Sequence, residues 1–371
     1  MKRVQAAIAF IIVAGTLTGC GRNIPLEDLT IPLILGIDLD ERNQLIFSEA
    51  SPVFNKNAKK NLEVYQLEAN SIRGSRKYFD TLATGEVTAA KIQVLLLGKR
   101  VLAHDDWYSI LDTVYRNPTF SINTKVIVVD GRVSDVMNYE PKDKALLSLH
   151  LKDVIDKNIK RTRTVINTLQ VLHRDMYEKG ITPSITEVKK EKDVQLAGVS
   201  LLDQKGKYVD SLGIQEVALL QLLKKEKREE LTFTLPIASI RGEGGIFHKN
   251  VLSIDVKHVR TKIKTRYVQD RFRFDYGFRM HVALVERLFS EDSITRGELE
   301  RMIEKELTAR FEDLIKKIQN NRIDPIGLGI YARAYQYQHY KKVEKHWAAA
   351  LAESDIHVSV DVIINTMGAV K

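Results

Sequence analysis

The clearest pattern in the chain is a strict alternation of apolar and polar residues over positions 272–284. Every second residue there is large and apolar, and most of the residues between are charged or polar; the apolar set is Phe272, Phe274, Tyr276, Phe278, Met280, Val282 and Leu284. Because successive side chains of a strand point to opposite faces, this period of two predicts a half-buried antiparallel strand. The same alternation at Leu252–Val256 and Ile356–Ile364 predicts two neighbouring strands.

A helical period lies between these strands. Apolar residues recur every three or four positions from Leu299 to Ile318, directly after Thr295-Arg296-Gly297-Glu298, which fits a capping box. We expect one long helix there and a second from Gly329 to Trp347. The last third of the chain therefore reads as an α+β unit.

Strands and helices also alternate through residues 29–137. Two short apolar runs on either side of Asp40–Asn43 predict a hairpin, and the later runs predict two helices and two buried strands. The hairpin runs are Ile31–Asp38 and Gln44–Glu49, the helices Ser71–Leu82 and Asp105–Tyr115, and the strands Ile92–Gly98 and Lys125–Asp130.

The most persistent helical spacing runs from Lys142 to Lys179 and predicts one long helix or two. Gly180 and then Pro183 fit the end of that helix. Strands at Val194–Leu202 and Tyr208–Leu212 and a helix at Gln215–Leu223 follow, and the charged run 224–230 is typical of a boundary.

These patterns predict an α+β fold of three domains, each a mostly antiparallel or mixed sheet packed with helices. The predicted divisions are an N-terminal α+β domain over 20–137, a middle domain with the long helix over 138–228, and a C-terminal α+β domain over 229–371. A cleaved signal peptide, residues 1–19, precedes them.

The signal is predicted by the start of the chain. Lys2 and Arg3 open an apolar run that is too short to cross a membrane, and Leu17-Thr18-Gly19-Cys20 closes it. This is a lipobox, in which Cys20 is alkylated with diacylglycerol, becomes the first residue after cleavage and takes a further acyl chain such as palmitate. Two or more chains hold a protein on a bilayer. The other interpretation is a soluble secreted protein in which Cys20 is incidental.

The net charge limits the classes of partner that the chain is expected to bind. The formal net charge is +9, and loss of Lys2 and Arg3 with the signal leaves 55 basic and 48 acidic residues. A mildly basic, well-mixed charge on an exported protein argues against a nucleic-acid partner. It is compatible with an anionic membrane surface, and equally with an ordinary solvated surface. Cys20 is the one cysteine, so no disulfide is expected.

The chain carries no recognisable catalytic or metal motif: no GxSxG, HExxH, P-loop or GxGxxG is present. His339 and His346 lie two helical turns apart and do not make a zinc site. Arg241–Gly245 is better explained as a hairpin connection than as a phosphate cradle, and Asp105-Asp106 as helix-capping residues. The stripe Arg271, Arg273 and Arg279 fits lipid, an acidic partner or a solvated sheet face. We therefore expect no enzyme activity, cofactor or metal.

One segment is more particular: Asn321-Arg322-Ile323-Asp324-Pro325-Ile326-Gly327-Leu328-Gly329. Pro325 fixes its own φ and keeps Asp324 out of the helical region. Gly327 and Gly329 permit unusual backbone angles and close backbone approach where the next helix begins. An aromatic-rich helix follows, with Tyr331, Tyr335, Tyr337, Tyr340 and Trp347. The turn either positions two helices or contacts a partner.

Together with the lipobox, Leu35-Gly36-Ile37-Asp38 and the Gly198–Leu202 strand with its Gly206 turn, this segment resembles the Ger(x)C family of spore germination lipoproteins. The resemblance spans nearly the whole mature chain, but family members often carry an aromatic and charged cluster where this chain has Gly21–Pro25. It implies three α+β domains without known catalysis. It also implies the C-type subunit of a nutrient germinant receptor, anchored on the outer face of the spore inner membrane beside membrane-spanning A-type and B-type subunits.

Two other classes compete with this interpretation. A solute-binding lipoprotein of a membrane transporter usually has two lobes with parallel sheets, whereas residues 251–285 predict antiparallel strands. An extracytoplasmic hydrolase would need a nucleophile or metal motif.

Overall fold

The computed structural model describes residues 29–53, 60–83, 85–141, 146–229, 231–237, 250–289 and 294–367, together with positions 3 and 5. The predictions at residues 1–19 and Cys20, at Gly21–Pro25 and at Arg241–Gly245 lie outside these residues.

Ten strands occupy the first 213 residues. They are β1 (Leu29–Thr30), β2 (Ile34–Leu39), β3 (Leu45–Pro52), β4 (Leu62–Glu68), β5 (Glu86–Val87), β6 (Val94–Gly98), β7 (Lys125–Asp130), β8 (Ser184–Lys190), β9 (Val194–Leu202) and β10 (Tyr208–Gly213). Eight form one mixed sheet in the order β10-β9-β8-β7-β6-β2-β3-β4, while β1 and β5 pair separately. The central strands β2, β6, β7 and β8 are parallel, and antiparallel hairpins extend the sheet on both sides.

Helices cover both faces of this sheet. They are α1 (Ile72–Leu82), α2 (Lys99–Leu102), a 3-10 helix (Trp107–Leu111), α3 (Asp112–Arg116), α4 (Val133–Met137), α5 (Leu147–Lys160) and α6 (Leu169–Tyr177). Leu95 and Leu97 of β6 point into the core under α1, α3 and α6, whereas Val94 and Leu96 point into the core under α4 and α5. Burial on both faces explains why β6 reads as a continuous apolar run.

The rest of the chain builds a second sheet. Its strands are β11 (Thr232–Pro236), β12 (Val251–Val268), β13 (Arg271–Arg287) and β14 (Asp355–Thr366), and its helices are α7 (Ile214–Leu223), α8 (Arg296–Asn320), α9 (Leu328–Tyr335), α10 (Tyr337–Val343) and α11 (Trp347–Ala352). The order is β11-β12-β13-β14, antiparallel except for the parallel pair β13–β14. The alternating apolar side chains of β13 are buried as predicted, and Phe278 stacks on Phe311 of α8 at 4.8 Å.

The two sheets share part of their cores. Helix α7 has seven of its ten residues buried, and the six apolar ones pack with Val199 and Leu212 of the first sheet and with Leu314 of α8 in one cluster. No helix within the described ranges is long and apolar enough to cross a bilayer.

Two backbone donors on the outer edge of β14 are occupied by side chains. The backbone N–H of Val362 donates to Glu304 Oε1 at 2.9 Å, and that of Ile364 donates to Glu300 Oε1 at 2.8 Å. Both glutamates belong to α8. They satisfy donors that a further strand would otherwise use.

The predicted α+β class is confirmed, with mixed sheets packed with helices. Strands from both sides of residue 137 share the eight-stranded sheet, and the division at 137/138 and 228/229 stays a prediction.

Two local predictions were wrong. The spacing over Asp105–Tyr115 does form a helical segment, a 3-10 helix followed by α3, but Asp106 does not cap it because its φ is +62° and its side chain makes no capping bond. Asp105 instead pairs with Lys207 at 3.1 Å. The predicted helix Gly329–Trp347 breaks at Gln336, where φ and ψ are −137° and 45°.

We expect Thr295→Ala to destabilise the protein by about 1 kcal/mol. Thr295 Oγ1 accepts from the N–H of Glu298, and the Thr295 N–H donates to Glu298 Oε2 at 2.7 Å, so both halves of the predicted capping box are present. Urea unfolding measures the loss. Thr295→Ser keeps the hydroxyl and should unfold like the wild type; equal losses in both variants would contradict the capping role.

Candidate functional site at the Asp324 turn

The turn that the sequence singled out connects α8 to α9. Helix α8 ends at Asn320, Arg322 takes a left-handed φ of +52°, and Gly327 takes φ +86° directly before α9. Pro325 supplies no N–H and holds the chain out of the helical region between these points. The turn is buried, with Asp324 fully inaccessible to solvent.

The Asp324 carboxylate organises the turn. Oδ1 accepts from the backbone N–H groups of Gly327 at 2.8 Å and Leu328 at 3.0 Å. Oδ2 accepts from the N–H of Gly329 at 2.8 Å and from Trp347 Nε1 at 2.8 Å. The first three donors are orphan N–H groups at the start of α9, so the carboxylate caps that helix from the preceding turn.

Burial raises the pKa of Asp324, and the four N–H donors oppose that rise. No cation pairs with this carboxylate among the described residues. All four partners donate, so the ionised form is the one that satisfies every contact. Burial, together with the charge of Asp324, raises the pKa of the neighbouring Tyr276 hydroxyl.

The same turn is joined to the segment that follows α6, residues 178–182. Thr182 N donates to Asp324 O at 2.8 Å, and Asp324 N donates back to Thr182 Oγ1 at 3.0 Å. Arg333 makes a bidentate pair with Glu178 at 2.8 and 3.0 Å. Lys179 and Glu344 form an ion pair at 3.1 Å. We call this contact between residues 178–182 and 324–344 the Asp324 junction.

Two glycines permit the junction for different reasons. At Gly327 the positive φ is the constraint, because a Cβ would meet Ile181 and Ile330 at an ordinary 3.5 Å. At Gly329 space is the constraint, since a Cβ would lie 2.5 Å from Gly180 Cα and 2.7 Å from Trp347 Nε1. Gly180 is equally tight against the backbone of Gly329. The two backbones therefore touch where any side chain would push them apart.

The other quoted motifs also lie at packing junctions. Gly36 leaves room for Val133, because a Cβ there would lie 2.7 Å from Val133 Cγ1. Asp38 Oδ2 accepts from the N–H of Val133 at 2.9 Å and so caps α4. Gly206 takes φ +87°, and its carbonyl accepts from Trp107 Nε1 at 2.6 Å.

The remaining candidates do not assemble into a site. Arg273 pairs with Asp275 at 3.1 Å and Arg279 with Asp361 at 2.6 Å, so two members of the basic stripe already have acidic partners. Asp275 is shared with Arg266. His339 stacks on Tyr267 with ring centroids 3.7 Å apart. Within the described residues, no three His, Cys, Asp or Glu side chains are grouped so as to hold a metal.

Sequence reasoning placed Asp324, Pro325, Gly327 and Gly329 in one turn but missed its partners. Glu178 and Thr182 are more than 140 residues away, and nothing local marks them. The sequence marks Gly180 only as a helix end. Its close approach to Gly329, which leaves no room for a side chain, is the stronger constraint on this position.

Comparison with known proteins adds a family to this geometry. Residues 22–190 match the family described as spore germination protein N-terminal domain, and residues 197–368 match the family described as spore germination B3/GerAC like, C-terminal. This chain belongs to the Ger(x)C family. The boundary between the two matched regions falls at the β8–β9 turn, so both regions contribute strands to the eight-stranded sheet.

Ger(x)C relatives match along the whole chain. Spore germination protein GerQC of Bacillus cereus is 21% identical over 374 residues, covering 98% of this chain and 99% of that protein. The crystal structure of the GerBC protein superposes with a TM-score of 0.60 at 16% identity, covering 89% of this chain and 96% of GerBC. The predicted family is confirmed, and the likeness to GerBC confirms the predicted α+β fold.

We expect Gly327→Val to destabilise the protein by about 1–3 kcal/mol, because a β-branched residue is strained at positive φ. Thermal unfolding measures the loss. Gly327→Asn is the matched control, since Asn tolerates this conformation. A Val variant that melts like the wild type would show that the turn does not need the left-handed angle.

Asp324→Asn should cost about 3 kcal/mol, because an amide cannot accept from all four donors and leaves buried N–H groups unpaired. Chemical denaturation would measure it. Asp313→Asn removes an exposed carboxylate from α8 and serves as the control. Equal stability of the two variants would contradict the organising role of Asp324.

Proposed function

We propose that this chain is the C-type subunit of a spore nutrient germinant receptor and acts in spore germination without catalysing a reaction. Membership of the Ger(x)C family, with matches over residues 22–190 and 197–368, is the observation that carries the proposal. The name of the Bacillus cereus relative, spore germination protein GerQC, supports the same role.

The anchor belongs to the proposal as well. Acylated Cys20 would hold the mature chain on the outer face of the cell membrane or spore inner membrane. The support is the lipobox Leu17–Cys20 behind a short charged and apolar segment.

In the receptor this subunit would support assembly with the A-type and B-type membrane-spanning subunits and transmit their state. The Asp324 junction supports transmission, because it joins the end of α6 to the C-terminal core through backbone contact and a buried carboxylate. Interfaces packed this closely respond as a unit. The division into three domains at 137/138 and 228/229 remains part of the proposal.

We expect Cys20→Ala to leave an uncleaved or mislocalised precursor and to lower germination efficiency. Membrane fractionation and blotting of spores would show where the chain is and whether residues 1–19 remain. Cys20 is the one cysteine, so labelling with a radioactive fatty acid should be lost completely in the variant. Normal anchoring of Cys20→Ala would contradict the lipobox interpretation.

Affinity purification of the tagged full chain from spore inner membranes in mild detergent tests the partners. We expect one permease-like B-type protein and one A-type membrane-spanning protein to co-purify. The Asp313→Asn chain, in which one exposed side chain is changed, should recover both membrane-spanning proteins equally and serves as the control. Recovery of transporter subunits would favour a solute-binding lipoprotein, and recovery of no partner would contradict receptor assembly.

A further inference from the structure

A cavity of about 250 Å³ lies between α1 and the edge of the eight-stranded sheet. Most of its wall is apolar, and α1, β2, β5 and the segment around α3 supply it. The apolar lining residues are Leu35, Ile72, Val87, Ile92, Val114 and Phe120. An engineered apolar cavity of about 150 Å³ holds benzene, so this space accommodates a benzene-sized body with a short side chain.

Two carboxylates line this space, those of Glu49 and Asp80. Asp80 is exposed, and its Oδ1 accepts from the N–H of Val87 at 3.2 Å. Glu49 of β3 stands on the same face of the sheet as Leu35 and Phe47 and is only 7% exposed. No donor within the described part of the chain forms a hydrogen bond or ion pair with it. The nearest guanidinium, that of Arg76, donates to Val87 O at 2.6 Å instead.

Such a carboxylate is costly to the fold. Burial of a charge without a partner disfavours folding, and an apolar residue would fill the same place. Burial raises the pKa of Glu49 to about 7, with Arg76 opposing and Asp80 adding to the rise. Its cross-strand neighbour Tyr65, whose pKa is raised to about 12, stays neutral at that pH. Arg76 is a favourable neighbour of ionised Glu49, but its charge does not offset the cost of burial.

The missing complement is a positively charged hydrogen-bond donor that enters the cavity from outside. We propose that this cavity binds a small organic amine, whose apolar body lies against Leu35, Val114 and Phe120 and whose ammonium group donates to Glu49. Arg73 and Lys77 are exposed and line the rim, so a ligand that also carries a carboxylate has a place for it there.

Three probes of similar size separate the contributions of the ammonium group, the apolar body and a carboxylate to binding. Phenethylamine supplies the ammonium and the apolar body, 2-phenylethanol replaces the ammonium with a hydroxyl, and phenylalanine adds a carboxylate to the amine. Isothermal titration calorimetry of the mature chain should give saturable phenethylamine binding about tenfold or more tighter than 2-phenylethanol, because the ammonium adds a positive charge to a hydrogen bond that the hydroxyl can also donate. Tighter binding of phenylalanine than of phenethylamine would identify a zwitterionic ligand; weaker binding would identify a simple amine.

Glu49→Gln keeps the side-chain shape and should weaken phenethylamine about tenfold or more while leaving 2-phenylethanol within about twofold. Glu68→Gln, which changes an exposed carboxylate on the adjacent strand β4, should change neither. Binding of the amine stabilises ionised Glu49, so near pH 7 it should release protons, seen as a difference in apparent heat between phosphate and Tris buffers. Glu49→Gln should abolish that difference.

Ala89→Leu, which enlarges an apolar side chain on the cavity wall, should weaken all three probes. The proposal is overturned if phenethylamine shows no saturable binding, if it binds no better than 2-phenylethanol, or if Glu49→Gln binds it like the wild type. None of these outcomes depends on germination or on receptor partners, so this test and that of the proposed function fail separately.

Discussion

The buried carboxylate of Asp324 is the constraint on which the C-terminal half depends. It is desolvated completely and has no cation among the described residues, so its charge is tolerable only while Gly327, Leu328, Gly329 and Trp347 all donate to it. Those donors come from the start of α9 and the start of α11, which are separated by α10. One side chain therefore fixes the positions of α9 and α11 relative to the end of α8. The backbone of Asp324 also pairs with Thr182, which fixes the path of the chain from α6 into β8.

Periodicity predicted the parts of the fold in which one face is buried and the other is not. β13 and α8 are of this kind, and both were found where the pattern placed them. β8 was missed because buried Thr186 and Glu187 make a central strand read as polar; Glu187 is satisfied there by Ser200, Ser211 and Lys99. Helix breaks such as that at Gln336 depend on single backbone angles, which residue periodicity does not encode.

For a related reason, the sequence predicted the turn of the candidate site but not its contacts. An unusual turn is predicted by residue type alone, from Pro325, Gly327 and Gly329. What that turn contacts is set by tertiary packing, and the close approach of Gly180 to Gly329 couples positions 149 residues apart. The surroundings of Glu49 could not be predicted from the sequence either. In the sequence it is an ordinary acidic residue at the end of a strand, and only the folded chain shows that it faces an apolar space.

The paired glutamates along β14 bear on how copies of this chain behave together. An open strand edge is a template on which another chain can continue the sheet, and the risk grows wherever many molecules are confined on a surface. Here Glu300 and Glu304 occupy two of the edge donors and place negative charge beside them. A neighbouring copy would have to displace both carboxylates before its own backbone could pair with Val362 or Ile364. This part of the β14 edge therefore resists continuation of the sheet when copies of the chain are crowded together.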